Sequence, residues 1–264
     1  MSVHEKVIWI TGASSGIGAT LAIELSKLDC QLILSARNEK GLLQTKSECF
    51  GNPDDITIVP LDLARLDSVP RAYEMAKESF GRIDILINNA GISQRSLTSD
   101  TNLDVYAKIM NINYLGTVAV TKSVLPEMIE RGSGQLVTIT SLVGKFGTPL
   151  RSGYAASKHA LHGFFDSLRA EVHEQGVDIL LVCPGFIQTE ISRKALVGNG
   201  ESHGMMDTAQ ENGMNPDVFA KKMVVAMGKK KEEICIGGKE TYGVFIKRFF
   251  PSLFSKMIRN VTVT

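Results

Sequence analysis

A chain of 264 residues, with 44% hydrophobic and 22% charged residues and 24 Gly, fits one large α/β domain rather than a disordered or fibrous chain. Its formal net charge of +1 gives no electrostatic reason to bind nucleic acid or another polyanion, and none is expected as a partner. Cys30, Cys49, Cys183 and Cys235 stand apart with no C-x-x-C spacing, and the five His form no H-E-x-x-H, so neither a metal site nor a disulfide framework is expected.

The opening MSVHEK is too short and polar for a signal peptide, and no run of 18 apolar residues follows, so a cytoplasmic location is the expectation. Residues 6–10 form a short apolar run that ends in TGASSGIG, after which ATLAIELSKL has helical periodicity. Strand, glycine turn and helix are the context of a phosphate loop. Gly12, Gly16 and Gly18 permit a tight turn and close backbone approach, and the helix start, with Ser14, Ser15 and Ile17 beside it, presents free N–H groups to a pyrophosphate.

A second strand over residues 31–35 ends at Ala36 and Arg37, where an acid would accept from the ribose of NAD and an Arg accommodates the extra phosphate of NADP. The acid is missing, so NADP(H) is favoured as cofactor, with NAD(H) left open. A third strand over residues 56–63 closes with Asp62 and Leu63, and the Asp is read as an adenine contact or a helix N-cap. An amphipathic segment over 68–80 leads to a strand over 83–87 and then Asn88, Asn89, Ala90 and Gly91, whose small residues let a cofactor pack against backbone.

Residues 102–131 read as one helix, bent near Pro126, with Asn111 and Asn113 at interior positions that Asn disfavours. A polar role is therefore expected there, a water relay to Lys158 among them. After a β-like run over 135–140 comes Ser141, and thirteen residues later Tyr154 opens a helical pattern carrying Lys158 at i+4. A phenol has an ordinary pKa of about 10, and a cation one turn away favours its ionised form, as acid/base work on an alcohol requires. On its own the pair is common on solvated helices.

The buried strand over 177–185 continues into Ile187 and Thr189, which with Pro184 and Gly185 are placed at the nicotinamide end. Residues 190–214 lack a period and read as a mobile lid over the substrate. In the tail, about 244–264, apolar residues recur at 246, 249, 250, 253, 254, 257, 258 and 261 opposite Lys247, Arg248, Lys256 and Arg259. That stripe is compatible with a peripheral membrane contact, or with a cover for the chain's own core or a sister subunit, Pro251 starting a second short helix.

TGASSGIG, NNAG, NYLG, a Ser thirteen before YAASK, and CPG-x-x-x-T occur in order across residues 11–189. Together they resemble the short-chain dehydrogenase/reductase family. The resemblance implies a single Rossmann-type doubly wound domain of about seven parallel strands with helices on both faces, a nicotinamide dinucleotide, and an Asn113, Ser141, Tyr154 and Lys158 tetrad. It also implies a homodimer or homotetramer joined through the helices over 102–131 and 153–175. SARN, GISQRSL, NYLGTV and ASKHALHGFF are most similar to the dehydrogenase/reductase member 7 subgroup, whose members carry an N-terminal membrane anchor that this chain is expected to lack.

The expected activity is interconversion of a carbonyl, on a hydrophobic ketone or aldehyde, and a secondary alcohol. The competing readings are a nucleotide-binding sensor or scaffold that lost its chemistry, and a sugar-nucleotide epimerase or dehydratase. Four intact catalytic positions speak against the sensor, and the chain length speaks against the epimerase.

Overall fold

Short runs of Val, Ile and Leu bounded by Gly, Asn and Asp form the strands, and each alternates its side chains between two helical layers. The computed structural model describes residues 3–259 and 261. Its strands are β1 (Val7–Thr11), β2 (Gln31–Ser35), β3 (Ile56–Ile58), β4 (Ile85–Asn88), β5 (Gly134–Ile139), β6 (Val177–Pro184) and β7 (Glu233–Ile236). All pair in parallel in one seven-stranded sheet of order β3-β2-β1-β4-β5-β6-β7.

The helices are α1 (Gly16–Leu25), α2 (Glu39–Glu48), α3 (Val69–Phe80), α4 (Leu103–Met110), α5 (Gly116–Arg131), α6 (Ser152–Val172), α7 (Thr208–Glu211), α8 (Pro216–Gly228), α9 (Tyr242–Phe249) and α10 (Pro251–Ile258). On one face Ile8, Ile10, Leu32, Leu34, Ile87 and Val182 pack with Leu21 and Leu25 of α1 and Phe219 and Met223 of α8. On the other, Trp9, Ile33, Leu86, Leu136 and Leu181 pack with Tyr73 of α3, Val124 and Met128 of α5, and Phe165 of α6. Both faces are covered, as a parallel sheet requires. The strand order reverses between β1 and β4, and in such sheets ligands bind at the carboxyl ends beside that reversal.

Most strand ends shift by one or two residues from the sequence expectation. β3 is shorter than expected, because Pro60 brings no N–H to the ladder. The helix expected over 102–131 is α4 and α5 joined by a π-helical turn at Asn111–Leu115, and Pro126 lies inside α5 without ending it. Such single-turn widenings recur at functional sites. Among the described residues no helix is long and apolar enough to cross a membrane. Pro251 does start a second short helix in the tail, whose residues 260 and 262–264 lie outside the described ones.

Candidate active site

The TGASSGIG turn follows β1, with Gly12 at φ +68 and Gly16 at φ +56. A Cβ on Gly18 would stand 2.4 Å from both the Gly12 carbonyl oxygen and Asn89 Nδ2, and one on Gly12 would stand 2.8 Å from Ala90 Cα. The loop and the NNAG segment are therefore in close backbone contact. Asn89 Nδ2 donates to the carbonyls of Thr11 (2.9 Å) and Gly12 (3.1 Å), while Thr11 Oγ1 accepts from the N–H groups of Asn89 and Ala90.

Ser15 caps α1 without a side-chain hydrogen bond, which leaves first-turn N–H groups of that helix for an anion. Ser14, Ser15, Gly16 and Ile17 thus fit the pyrophosphate of a dinucleotide. Replacing Gly18 by Ala is expected to destabilise the fold by about 1–3 kcal/mol through overpacking and to weaken nucleotide binding. Thermal melting and nicotinamide fluorescence titration measure this, and a variant matching the parent in both would show that the loop has room to spare.

Arg37 lies two residues past the end of β2, with its side chain 61% exposed and its Nε 3.9 Å from Asp62 Oδ1. Asp62 does not cap a helix; its carboxylate accepts from the Ala64 N–H at 3.0 Å. Leu63 is buried, and Gly116 packs directly on it.

Tyr154 and Lys158 stand on one side of α6, both buried, with Lys158 Nζ 5.7 Å from the Tyr154 ring centre. The Lys158 ammonium donates to the Ile139 carbonyl at 2.9 Å, at the end of β5. Ser141 follows that strand and accepts from the Val143 N–H at 3.3 Å. Burial pushes the Tyr154 phenol up, and the Arg151 charge, the Ser141 hydrogen bond and the Arg95 charge oppose it. Burial pulls Lys158 down to about 8, with Cys183 acting the other way. The Lys158 ammonium thus stands near the Tyr154 ring while bonded to the Ile139 carbonyl, and Arg151 and Arg95 add further positive charge that bears on the phenol.

Asn113 sits in the π-helical turn, fully buried. Its Oδ1 accepts from the Ile92 N–H at 2.8 Å, and its Nδ2 donates to the Ile92 carbonyl at 2.9 Å and to Ser157 Oγ at 3.0 Å. Both amide protons are engaged within the protein, and the side chain holds the segment after Gly91 in place. Gln94 Oε1 accepts from the N–H groups of Gly153 (2.7 Å) and Tyr154 (3.4 Å), fixing the start of α6.

Ser141, Tyr154 and Lys158 open onto one cavity of about 310 Å³. Of the residues singled out in the sequence, Ile17, Asn89, Gly91, Ser141, Tyr154, Lys158, Pro184, Gly185, Ile187 and Thr189 line it. Gly12, Ser14, Ser15, Gly16, Gly18, Arg37, Asp62, Leu63, Ala90 and Asn113 lie outside its lining. The segment 190–214 reaches over it through Ile191 and Gln210, and Gln210 Nε2 donates to the Ile187 carbonyl and, at 3.2 Å, to Thr189 Oγ1.

Sequence reasoning missed what ties that segment down. Asp207, 1% exposed, accepts from Arg95 Nε at 2.9 Å and from its Nη2, and from Arg151 Nη2 at 3.1 Å. Arg95 also donates from Nη1 to Ser93 Oγ at 2.9 Å and to the Gln94 carbonyl at 2.6 Å. Burial and the neighbouring Arg95 pull Arg151 down to about 10. The one sequence signal was a lone Arg among uncharged residues in GISQRSL. Spacing also hid a cross-strand neighbourhood: Cys183 and Cys235 are register partners on β6 and β7, and with Glu233 their ligand atoms lie within 4.8 Å of one another. Lys145 pairs with that Glu233.

A glycine loop at the strand-order reversal, with Ser141, Tyr154 and Lys158 gathered at one cavity, defines a dinucleotide-binding α/β fold. The chain belongs to the short-chain dehydrogenase/reductase family of oxidoreductases: the family model described as short chain dehydrogenase matches residues 6–198. It is 44% identical over 237 residues to the human dehydrogenase/reductase SDR family member 7, covering 88% of this chain and 70% of that protein. It is 40% identical over 254 residues to the Drosophila melanogaster dehydrogenase/reductase SDR family protein 7-like, covering 94% and 78%. Among solved structures, a short-chain dehydrogenase from Streptomyces avermitilis superposes with a TM-score of 0.82 at 25% identity, covering 97% and 96% of the two chains. A Burkholderia phymatum member in complex with NAD superposes with a TM-score of 0.84 at 21% identity, covering 96% of each, and a Burkholderia cenocepacia member in complex with NADP at 0.79 and 21%, covering 99% and 100%.

Proposed function

We propose that this chain interconverts a carbonyl and a secondary alcohol with NADP(H), on a hydrophobic ketone, aldehyde or alcohol. The observation that carries the reading is the convergence of Ser141, Tyr154 and Lys158 on one largely apolar cavity beside the glycine loop. When bound, the nicotinamide supplies or accepts the hydride. Ser141 and Tyr154 orient the substrate oxygen, and Tyr154 Oη gives it a proton in reduction and takes one in oxidation. Lys158, Arg151 and Arg95 stabilise the phenolate left after the proton leaves. Asn113 is a positioning residue for the Gly91 and Ile92 backbone.

Gly12, Ser14, Ser15, Gly16, Ile17 and Gly18 would hold the pyrophosphate, and Asp62, Leu63 and Ala90 the adenosine side. Asn89, Gly91, Pro184, Gly185, Ile187 and Thr189 would floor the nicotinamide end. NAD in one structural neighbour and NADP in another support a nicotinamide cofactor, and the exposed Arg37 with no acid at that strand end favours NADP(H). Association of copies through α4, α5 and α6 fits Leu103 and Leu115, which remain exposed there.

The test is a panel of carbonyls assayed by loss of reduced-nicotinamide absorbance with NADPH and with NADH. Turnover of apolar ketones or aldehydes with NADPH is expected, and a panel-wide blank with nucleotide bound would favour a sensor. Arg37→Asp is expected to raise the Kd for NADPH by roughly tenfold or more, the loss of a charged phosphate contact, with little change for NADH. Equal effects on the two nucleotides would remove Arg37 from the cofactor site.

A further inference from the structure

The last two helices carry more apolar surface than their own fold covers. One side of the α9 and α10 pair is buried: Phe254 packs on Phe146 with ring centres 4.9 Å apart, and Val244, Ile246 and Ile258 join the same cluster. The other side is exposed. Phe245, Phe249, Phe250 and Leu253 are 57%, 62%, 54% and 52% accessible, and Phe245 stacks against Phe249 at 4.6 Å and Phe250 at 6.3 Å. A contiguous aromatic patch of this kind marks a docking surface rather than scattered surface hydrophobes.

Its charge identifies the occupant. Lys247, Arg248, Lys256 and Arg259 flank the patch, and no Asp or Glu occurs between residues 241 and 261. Among the described residues none of the four is in an ion pair, and Lys247 lies over the Phe254 ring. A second copy docked face to face would set these cations against the same cations with no acid to neutralise them. An apolar wedge with a basic border instead matches acyl chains below and anionic headgroups around them.

The patch also adjoins the cavity. Tyr242, Met257 and Val261 line the cavity and are 69%, 48% and 39% exposed, so they form its rim, the first two on the helices that carry the patch and Val261 just after α10.

We infer that α9 and α10 dock this chain onto an anionic phospholipid bilayer, with the cavity rim at the lipid surface so that an apolar substrate enters from the membrane. The docking stands on the helices alone; only the entry route rests on the oxidoreductase reading.

The experiment sediments the full chain with unilamellar vesicles of phosphatidylcholine alone, and with phosphatidylserine at the fraction of a cytoplasmic leaflet. The protein is expected to pellet with the anionic vesicles and to be released by salt. The double variant Phe249→Ser, Phe250→Ser is expected to lose more than about tenfold in partitioning. Lys247→Gln with Arg248→Gln is expected to lose the preference for phosphatidylserine. NADPH-linked reduction of a small soluble carbonyl and the mass by light scattering are read alongside, and neither should move in the Phe variant. Absence of pelleting, equal binding to both vesicles, or a Phe variant that changes mass and not partitioning each overturns the proposal, the last by showing that a second copy covers the face. Loss of soluble-carbonyl activity in the parent would instead count against the enzyme reading and leave docking untouched.

Discussion

Replacing Tyr154 by Phe is expected to lower kcat by roughly a thousandfold, at the middle of the range for removing a general acid, while nucleotide affinity and melting temperature stay near those of the parent. The substitution deletes one oxygen from a side chain that is 8% exposed and leaves the ring that fills the space beside Val143 and Ala155. Burial keeps that phenol in its neutral, proton-donating form at neutral pH, which suits carbonyl reduction. Once the proton has left, the developing phenolate stands near Arg151, Ser141 and Arg95, the groups that oppose the effect of burial. A thousandfold loss corresponds to about 4 kcal/mol of transition-state stabilisation. The measurement is kcat with saturating nucleotide, together with a binding titration to show that the nucleotide still enters. A variant that keeps a tenth of the parent rate would place the proton donor elsewhere.

Much of the architecture was legible because parallel strands buried on both faces leave continuous apolar runs. The alternation of Ile8 and Ile10 against Trp9 between the two cores follows from the strand period alone. The glycine loop was legible for a similar reason: Gly12 and Gly18 sit where a Cβ would collide with backbone, so residue type and position are bound together. Ser141, Tyr154 and Lys158 could be found because helical spacing and a strand end fix their relation locally. Asn113 was located by its poor helix propensity, yet the use of both its amide protons depends on Ile92 and Ser157, which sequence spacing does not bring near. Least legible was the partner of Arg95, which lies 112 residues away in a segment with no periodicity. Charged residues in such segments look like solvated surface until the fold buries them.

Asp207→Asn is therefore the substitution expected to do most damage outside the catalytic group, lowering stability by about 3–5 kcal/mol. Asn keeps the size of the side chain but removes the charge and turns one acceptor into a donor. Arg95 and Arg151 would then lose the carboxylate they share, in a place where the Asp207 side chain is fully buried. For a chain of this size the melting temperature should fall by roughly 10 °C. Because Asp207 joins segment 190–214 to Arg95, which follows β4, and to Arg151, which precedes α6, residues 190–214 should also become more sensitive to limited proteolysis. KM for the carbonyl should rise more than KM for the nucleotide, since Arg95 and Arg151 line the cavity and Gly12, Gly16 and Gly18 do not. A cycle with Arg95→Met separates the pair from its surroundings: the two single losses should exceed the loss in the double variant by about 1 kcal/mol or more. Additive losses, or an unchanged melting temperature with unchanged proteolysis, would mean that the segment is held by its backbone contacts, such as the bond from Arg95 N–H to the Leu196 carbonyl at 2.8 Å, and not by the charges.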